Sequence, residues 1–476
     1  MMADRSRYVA FTRLGNRLKP VPLLLIGLIV SGCSMFVPDY HRPTVPIASK
    51  WSSPLETANK TAMPVSGPWW QDFSSSELNG LMKAGLMENY SLQAAYQRIE
   101  ESRGTAELDG APRYPTLALG GLYTRQNNFS TTSKTSVNGQ ASYETDFWGK
   151  NQDKYHSAQQ LATAAEYDAE TVKMTLAANI ANTYFQLLSL DERILLAQKI
   201  SGDEQHILDL VQTQANLGAG SNLEVEQQRN VLQTYQATVF SLQQQRNQTR
   251  FALAVLVGQS PESFNIVSKN LNHITDPAPQ LSFPANLLRR RPDIQAAEAR
   301  LISTNYDVGA ARASFLPDIV VTPLAGINTL AGTSVWSLIG TLTQPIFSGG
   351  SLSGQLHFDK AHSQEMAANY KQTLLTAFQD VETQISAVNQ FTQADKLNAE
   401  AVVSAQEANR LALVQYKLGS IDYQTLLTVE RTLYQSEDSS LQVKLQRLQA
   451  SVGLFRALGG DYVTPSSSPQ TNSKVG

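Results

Sequence analysis

Between Lys150 and Asn216 the chain contains no proline, and apolar residues recur at helical spacing. Leu176, Ile180, Tyr184, Leu187 and Ile194 form a stripe, with Gln, Asn, Thr and Ser on the remaining faces, the pattern of an amphipathic helix. As one helix, about 65 residues would run roughly 100 Å at a rise of 1.5 Å per residue. No globular domain of this size is that wide, so the helix must pack beside others in an elongated, coiled-coil-like body. A second stretch, from about Ser353 to Lys417, behaves alike, with Phe358, Ala361, Met366, Leu374, Phe378, Val381 and Ile385 at its apolar positions.

The two stretches belong to a duplication. A shift of 201 positions without gaps lays Gln214, Leu217 and Gly218 on Gln415, Leu418 and Gly419, and carries Leu232, Gln245, Arg246, Leu253 and Gly258 onto Leu433, Gln446, Arg447, Leu454 and Gly459. A shift of 202 pairs Ala94, Ala95, Arg98 and Pro115 with Ala296, Ala297, Arg300 and Pro317. Matches at the same helix boundaries, in the same order, mark two copies of one unit. Each copy holds a helical hairpin, turning at residues 217–222 and 418–423. Ser221 with Glu224 reads as a capping box for the first returning helix, and Asp422 stands at the start of the second, where a carboxylate suits the positive helix end.

The N-terminus reads as an export signal. Arg5, Arg7, Arg13, Arg17 and Lys19 precede the apolar run Val21 to Val30, which closes in Val30-Ser31-Gly32-Cys33, a pattern similar to a bacterial lipobox. Cys33 is the single cysteine, which excludes a disulfide within the chain. Cleavage would leave Cys33 first, carrying diacylglycerol and an N-acyl chain, and several acyl chains give firm attachment. Ser34 follows it, so sorting to the outer membrane is expected. Residues 1–32 are then a signal peptide, 33–68 a Pro/Ser/Thr-rich extended strap, 69–283 the first repeat, 284–460 the second, and 461–476 a disordered tail.

Two candidate strands precede each long helix. In Ser136 to Phe147 the even positions are all polar, while the odd ones (Val137, Gly139, Ala141, Tyr143, Thr145, Phe147) are mostly apolar or small. Such alternation marks a strand with one dry and one wet face. Residues 116–126 are its expected partner, and 318–328 with 335–347 repeat the arrangement, Trp336, Leu338 and Leu342 facing one way. The Ser/Thr/Asn/Gly-rich segments 127–135 and 329–334 are expected loops. Four strands are too few to close a barrel, and an open edge cannot face lipid. If these strands enter a membrane, several chains must pool them; even strand numbers of eight or more admit a dimer or a trimer.

Several segments resemble the outer-membrane efflux proteins, the outer-membrane factor of tripartite drug pumps, in their lipoprotein branch. They are Leu287 to Glu298 (with Arg289-Arg290-Arg291-Pro292-Asp293), Tyr143 to Lys150, Ala311 to Pro317, Pro345 to Gly350, the two turns, and Ala457 to Gly460. Thr145 and Ser348 depart from the family's usual residues. The resemblance implies a mainly α fold with a membrane β-barrel: a homotrimer whose twelve-stranded barrel in the outer membrane is continued by a long periplasmic α-helical barrel. It implies passive export of small molecules, with energy from an inner-membrane transporter reached through a periplasmic adaptor. Carried onto this chain, Asp422 and Ile421 become candidates for a periplasmic gate, and Leu217, Gly218, Ser221, Leu418 and Gly419 for adaptor contact. A carboxylate ring at a constriction attracts cations; capping explains Asp422 equally well.

The net charge of −3 gives no reason to expect nucleic acid. The six histidines are dispersed, and no nucleophile elbow, phosphate-cradling loop or acid pair stands out, so neither catalysis nor a cofactor is expected. Two alternatives remain: a duct for protein secretion, and a structural coiled-coil lipoprotein without a channel.

Overall fold

The structure is a computed structural model describing residues 36–46, 48–52, 68–128, 130–266, 270–277, 284–328 and 333–460. Cys33, the signal peptide and the tail at 461–476 lie outside these residues. The elements are α1 (Ser76–Glu88), α2 (Tyr90–Gly110), β1 (Thr116–Asn128), β2 (Ser130–Thr145), α3 (Lys150–Asn216), α4 (Asn222–Leu256), α5 (Leu287–Arg290), α6 (Pro292–Ala313), β3 (Asp318–Asn328), β4 (Thr333–Thr343), α7 (Ser351–Lys417) and α8 (Tyr423–Ala457), with short 3-10 turns between some of them. No described helix is long and apolar enough to cross a membrane.

The duplication is visible in the boundaries themselves. α3 and α7 each have 67 residues, α4 and α8 each have 35, and every end of one hairpin lies 201 positions from its twin. Contacts divide the chain into two units: Met1–Pro38, Gly110–Lys154 and Tyr306–His357 form one, and Asp39–Asp109, Tyr155–Asn305 and Phe358–Gly476 the other.

The first unit holds an antiparallel sheet in the order β1-β2-β3-β4, so β1 and β4 are its edges. Its strands outrun the expected ones at one end and fall short at the other. Pairing of β1 with β2 reaches Asn128 and Ser130, inside the expected 127–135 loop, because the Thr-rich sequence there suits a pleated ladder as well as a loop. β2 stops at Thr145 and β4 at Thr343, short of the expected 147 and 347. Asp146 instead accepts from the Gln152 N–H (2.7 Å) in the first turn of α3, and Pro345 has no N–H to extend a ladder. The turn after β2 is fastened to β3. Thr145 Oγ1 donates to the Ile319 carbonyl (2.9 Å), Trp148 Nε1 to that of Pro317 (2.9 Å), and Lys150 pairs with Glu144 (2.7 Å) and Asp318 (2.8 Å). These bonds account for much of the Tyr143-to-Lys150 signature. The Arg312 guanidinium donates to the Phe36 carbonyl at 3.0 Å, which holds the start of the strap to α6.

The second unit is a helix bundle with a large apolar core in each repeat. One gathers Trp69, Phe73, Tyr184, Phe185, Leu187 and Leu253; the other gathers Leu287, Ile294, Tyr370, Leu374, Val381 and Ile385. α8 feeds both, through Leu448, Val452 and Phe455 on one side and Ala450, Leu454 and Ala457 on the other. Each returning helix ends against the kink between the two short helices that open its own repeat. Asn89, between α1 and α2, donates to the Leu256 carbonyl (3.0 Å); Arg291, between α5 and α6, donates to that of Ala457 (3.3 Å). Arg291 is 6% exposed and also pairs with Asp293 (2.7 Å) and Asp380 (3.2 Å). The Arg-Arg-Pro-Asp segment is therefore a helix start that buttresses a helix end, with Pro292 as the first residue of α6, where its missing N–H costs nothing. Gly258 and Gly459 close the returning helices at φ +74° and +97°. A methyl group at Gly258 would lie 2.8 Å from the Glu88 Cβ and 2.7 Å from its carbonyl carbon; at Gly459 it would overlap Arg290. Within this unit the strap is also docked: Arg42 grips Glu298 with two bonds (2.7 and 2.8 Å), Trp51 meets Phe378 edge-on, and Ser52 donates to Glu382.

Candidate functional site: paired helix turns and an apolar sheet face

The two turns are built alike. α3 ends at Asn216 and α7 at Lys417, each followed by glycine in the left-handed region, Gly218 at φ +73° and Gly419 at +71°. Gly218 N–H returns to the Ala215 carbonyl and Ala219 N–H to that of Gln214; Gly419 and Ser420 do the same to Tyr416 and Gln415. This pairing of bonds satisfies carbonyls that a helix end otherwise leaves open. The next helices start one residue earlier than the expected turn limits of 222 and 423, because Asn222 and Tyr423 are already helical. Ser221 accepts from the Glu224 N–H (3.3 Å) while the Glu224 carboxylate takes the Ser221 N–H (3.1 Å). Asp422 accepts from the Thr425 N–H at 2.8 Å. Bonds from the Thr425 side chain and backbone hold the Asp422 carboxyl below its ordinary range. Leu217 and Leu418 project into solvent, 78% and 75% exposed. Ile421 instead packs partly into the apolar cluster of Ile207, Val211, Val225, Tyr416, Tyr423 and Leu426 beneath the turns.

Under that cluster lies a polar chain that the sequence reading passed over. Tyr416 donates to Gln214 Oε1 (2.8 Å) and Tyr423 to Gln228 Oε1 (2.6 Å), while Gln228 Nε2 donates to the Glu204 carbonyl (3.0 Å) and its carboxylate. Glu204, Gln228 and Glu430 are 1%, 0% and 2% exposed. Burial, and then the charge of Glu204, pushes the Glu430 carboxyl up to about 8; burial also raises Glu204. Their signal was a periodic one: Ile200, Glu204, Ile207 and Val211 share one helical stripe, so an acid stands at an apolar position.

The sheet presents a different surface. Antiparallel register places Leu117, Leu119 and Tyr123 of β1, Val137, Gly139, Ala141 and Tyr143 of β2, Ile319, Val321, Pro323, Ala325 and Ile327 of β3, and Trp336, Leu338 and Leu342 of β4 on one face. The other face is mixed: Asn138, Gln140, Ser142, Glu144, Thr322, Ser337 and Thr341 stand among Leu122, Val320, Leu324, Val335 and Ile339. Leu117, Leu119 and Trp336 are each more than 80% exposed. Toward the Asn128 end the apolar positions give way to Arg125 and Thr135, so the ladder continues past its apolar band.

This architecture recurs in known proteins. The model of the family described as outer membrane efflux protein matches residues 81–259 and again 283–460, once per repeat. The pyoverdine export outer membrane protein OpmQ of Pseudomonas aeruginosa is 33% identical over 413 residues, which cover 83% of this chain and 87% of the relative. The toluene efflux pump outer membrane protein TtgC of Pseudomonas putida is 27% identical, with 95% and 98% covered. Among solved structures, the open state of the Neisseria gonorrhoeae MtrE outer membrane channel superposes with a TM-score of 0.82 at 27% identity, covering 90% of this chain and 98% of that one. The chain belongs to the outer membrane efflux protein family, and it is an outer-membrane component of an efflux system.

Proposed function

We propose that three copies of this chain pool their sheets into one twelve-stranded barrel and form a passive duct for small molecules from the periplasm to the exterior. The observation that carries this reading is the sheet itself: an apolar band along one face of strands of membrane length, with two open edges, β1 and β4. The apolar face suits hydrocarbon, but unpaired edge groups there would each cost several kcal/mol, so β1 of one copy must pair with β4 of the next. Acyl chains on Cys33 hold the assembly to the outer membrane, and the strap leads from them to Glu298 and Glu382. Leu217, Gly218, Ser221, Leu418 and Gly419 meet a periplasmic adaptor, through which an inner-membrane transporter delivers its cargo. Asp422 lies at the narrowing. The relatives' names, pyoverdine export and toluene efflux, favour small organic cargo over protein. Native mass spectrometry of detergent-extracted protein tests the assembly. A mass of three lipidated chains is expected, and a monomer with no barrel-type β signal refutes it.

A further inference from the structure

Glu204 and Glu430 occupy positions that the packing reserves for apolar side chains. Glu204 lies between Ile200 and Ile207 on α3, and Glu430 between Leu427 and Leu433 on α8. Both are almost wholly buried. Glu204 receives the Gln228 amide, and Gln228 in turn receives Tyr423, the first residue of α8. One oxygen of Glu430, Oε2, has no hydrogen-bond partner. Around the pair, α3 brings Asp203, α4 brings Gln228 and Tyr235, α8 brings Tyr423, Arg431 and Tyr434, and α7 brings Tyr416 behind Tyr423. The duplication does not explain these acids, since the positions 201 away hold Ala405 and Arg229. At 1.5 Å per residue, the pair sits roughly 12–18 Å along the helices from the turns.

We propose that Glu204 and Glu430 form a proton-holding latch beneath the two turns: with Glu430 neutral the helices stay packed, and loss of its proton sets two carboxylates against each other in an apolar layer and loosens α8 from α3. A buried carboxylate without partners is expensive, and a second one beside it more so. Glu430 rises from an ordinary 4.5 to about 8. Its folded form therefore binds the proton more tightly than the unfolded form does. The packing it permits is complete below its ordinary range and is lost as pH climbs through about 8. That this loosening opens a passage rests on the duct reading; the loosening itself does not.

The test is backbone deuterium exchange on the full-length protein in detergent, from pH 6 to pH 9 and corrected for intrinsic rates, with conductance in planar bilayers measured beside it. In the wild type, local opening at residues 200–211 and 423–434 should rise about tenfold or more across this range, and conductance should rise with it. Glu430→Gln, which keeps the shape of the neutral acid, should show neither rise. Glu204→Gln, which removes the charge that helps hold the proton on Glu430, should move the onset of both to lower pH and make them smaller, because no second carboxylate then opposes the first. A wild type whose protection does not change with pH, or a Glu430→Gln protein that keeps the wild-type response, overturns the latch. Absence of conductance in every variant, with exchange behaving as expected, sinks the duct and leaves the latch standing.

Discussion

Gly218 and Gly258 allow two effects of a single methyl group to be separated, because their backbones are nearly the same. Their φ angles are +73° and +74°. Around Gly218 no atom lies within 4 Å of where a Cβ would sit, whereas at Gly258 the Glu88 carbonyl carbon and Cβ lie at 2.7 and 2.8 Å. Gly218→Ala should therefore cost only the left-handed strain of an L residue, about 1–2 kcal/mol. Gly258→Ala adds an overlap with backbone that cannot rotate away. Relief requires α4 to back off the α1–α2 kink and stretch the Asn89-to-Leu256 bond, a further ~1–3 kcal/mol by analogy with overpacked cores. The duplication supplies a built-in replicate, with Gly419 in open space and Gly459 against Arg290. Urea unfolding of the four alanine variants in one detergent, followed by helical circular dichroism, should place Gly258→Ala and Gly459→Ala together, well below Gly218→Ala and Gly419→Ala. Four equal losses would refute the close-approach argument and leave backbone strain as the whole effect.

Arg291→Ala should lower the thermal midpoint sharply, since breaking a buried ion pair costs about 3–5 kcal/mol. Arg291→Lys should recover only part of the loss, because an ammonium cannot serve Asp293, Asp380 and the Ala457 carbonyl together; full recovery would contradict the contacts described. Asp422→Asn keeps the cap on Thr425 and removes the charge, so ion selectivity in bilayers separates the two roles: reduced cation preference places Asp422 at the constriction, and unchanged preference leaves it a cap. Because its carboxyl is held low, the stabilisation that Asp422 gives α8 is present above the ordinary carboxylate range and is lost as pH falls through its own lower value. Amide exchange at Thr425 in acid reads this loss directly, and protection unchanged down to the acid limit argues against it. Trp336→Arg should block insertion, costing about 2–4 kcal/mol if it lies near the bilayer midplane, while Ser337→Arg on the opposite face should fold; heat-resistant mobility on a gel distinguishes them.

Most of the architecture is legible in the sequence, because long helices and alternating strands rest on local periodicity. The missing proline and the repeating Leu176-to-Leu187 stripe specify α3, and the even–odd contrast from Ser136 specifies the two faces of β2. Strand ends are a different matter. A Thr/Ser segment such as 130–135 suits ladder and loop alike until a partner strand decides, and β1 decides it here by pairing through Asn128. The acids under the turns were harder still. Glu204 stands on the apolar stripe of Ile200, Ile207 and Val211, but an acid there reads equally well as an interruption of the stripe in a Gln- and Glu-rich helix. The packing of α3, α4 and α8 is what shows Glu204 and Glu430 facing inward. The turn residues themselves were readable through their glycines and caps; which of them meets a partner is not a property of local chemistry.

The equal lengths of the two hairpins restrict how such a chain can change in evolution. Gln214 on α3 and Tyr416 on α7 bond to each other just short of the turns, so the ends of both hairpins are in register. One residue inserted into a single long helix would advance everything beyond it by about 1.5 Å and swing it by about 100°, parting that bond and turning buried Ile207 and Val211 toward water. Insertions in these helices are therefore tolerable only as matched pairs, one per copy, and in steps near whole helical repeats, so that a shorter or longer descendant of this chain should have changed both hairpins by the same amount.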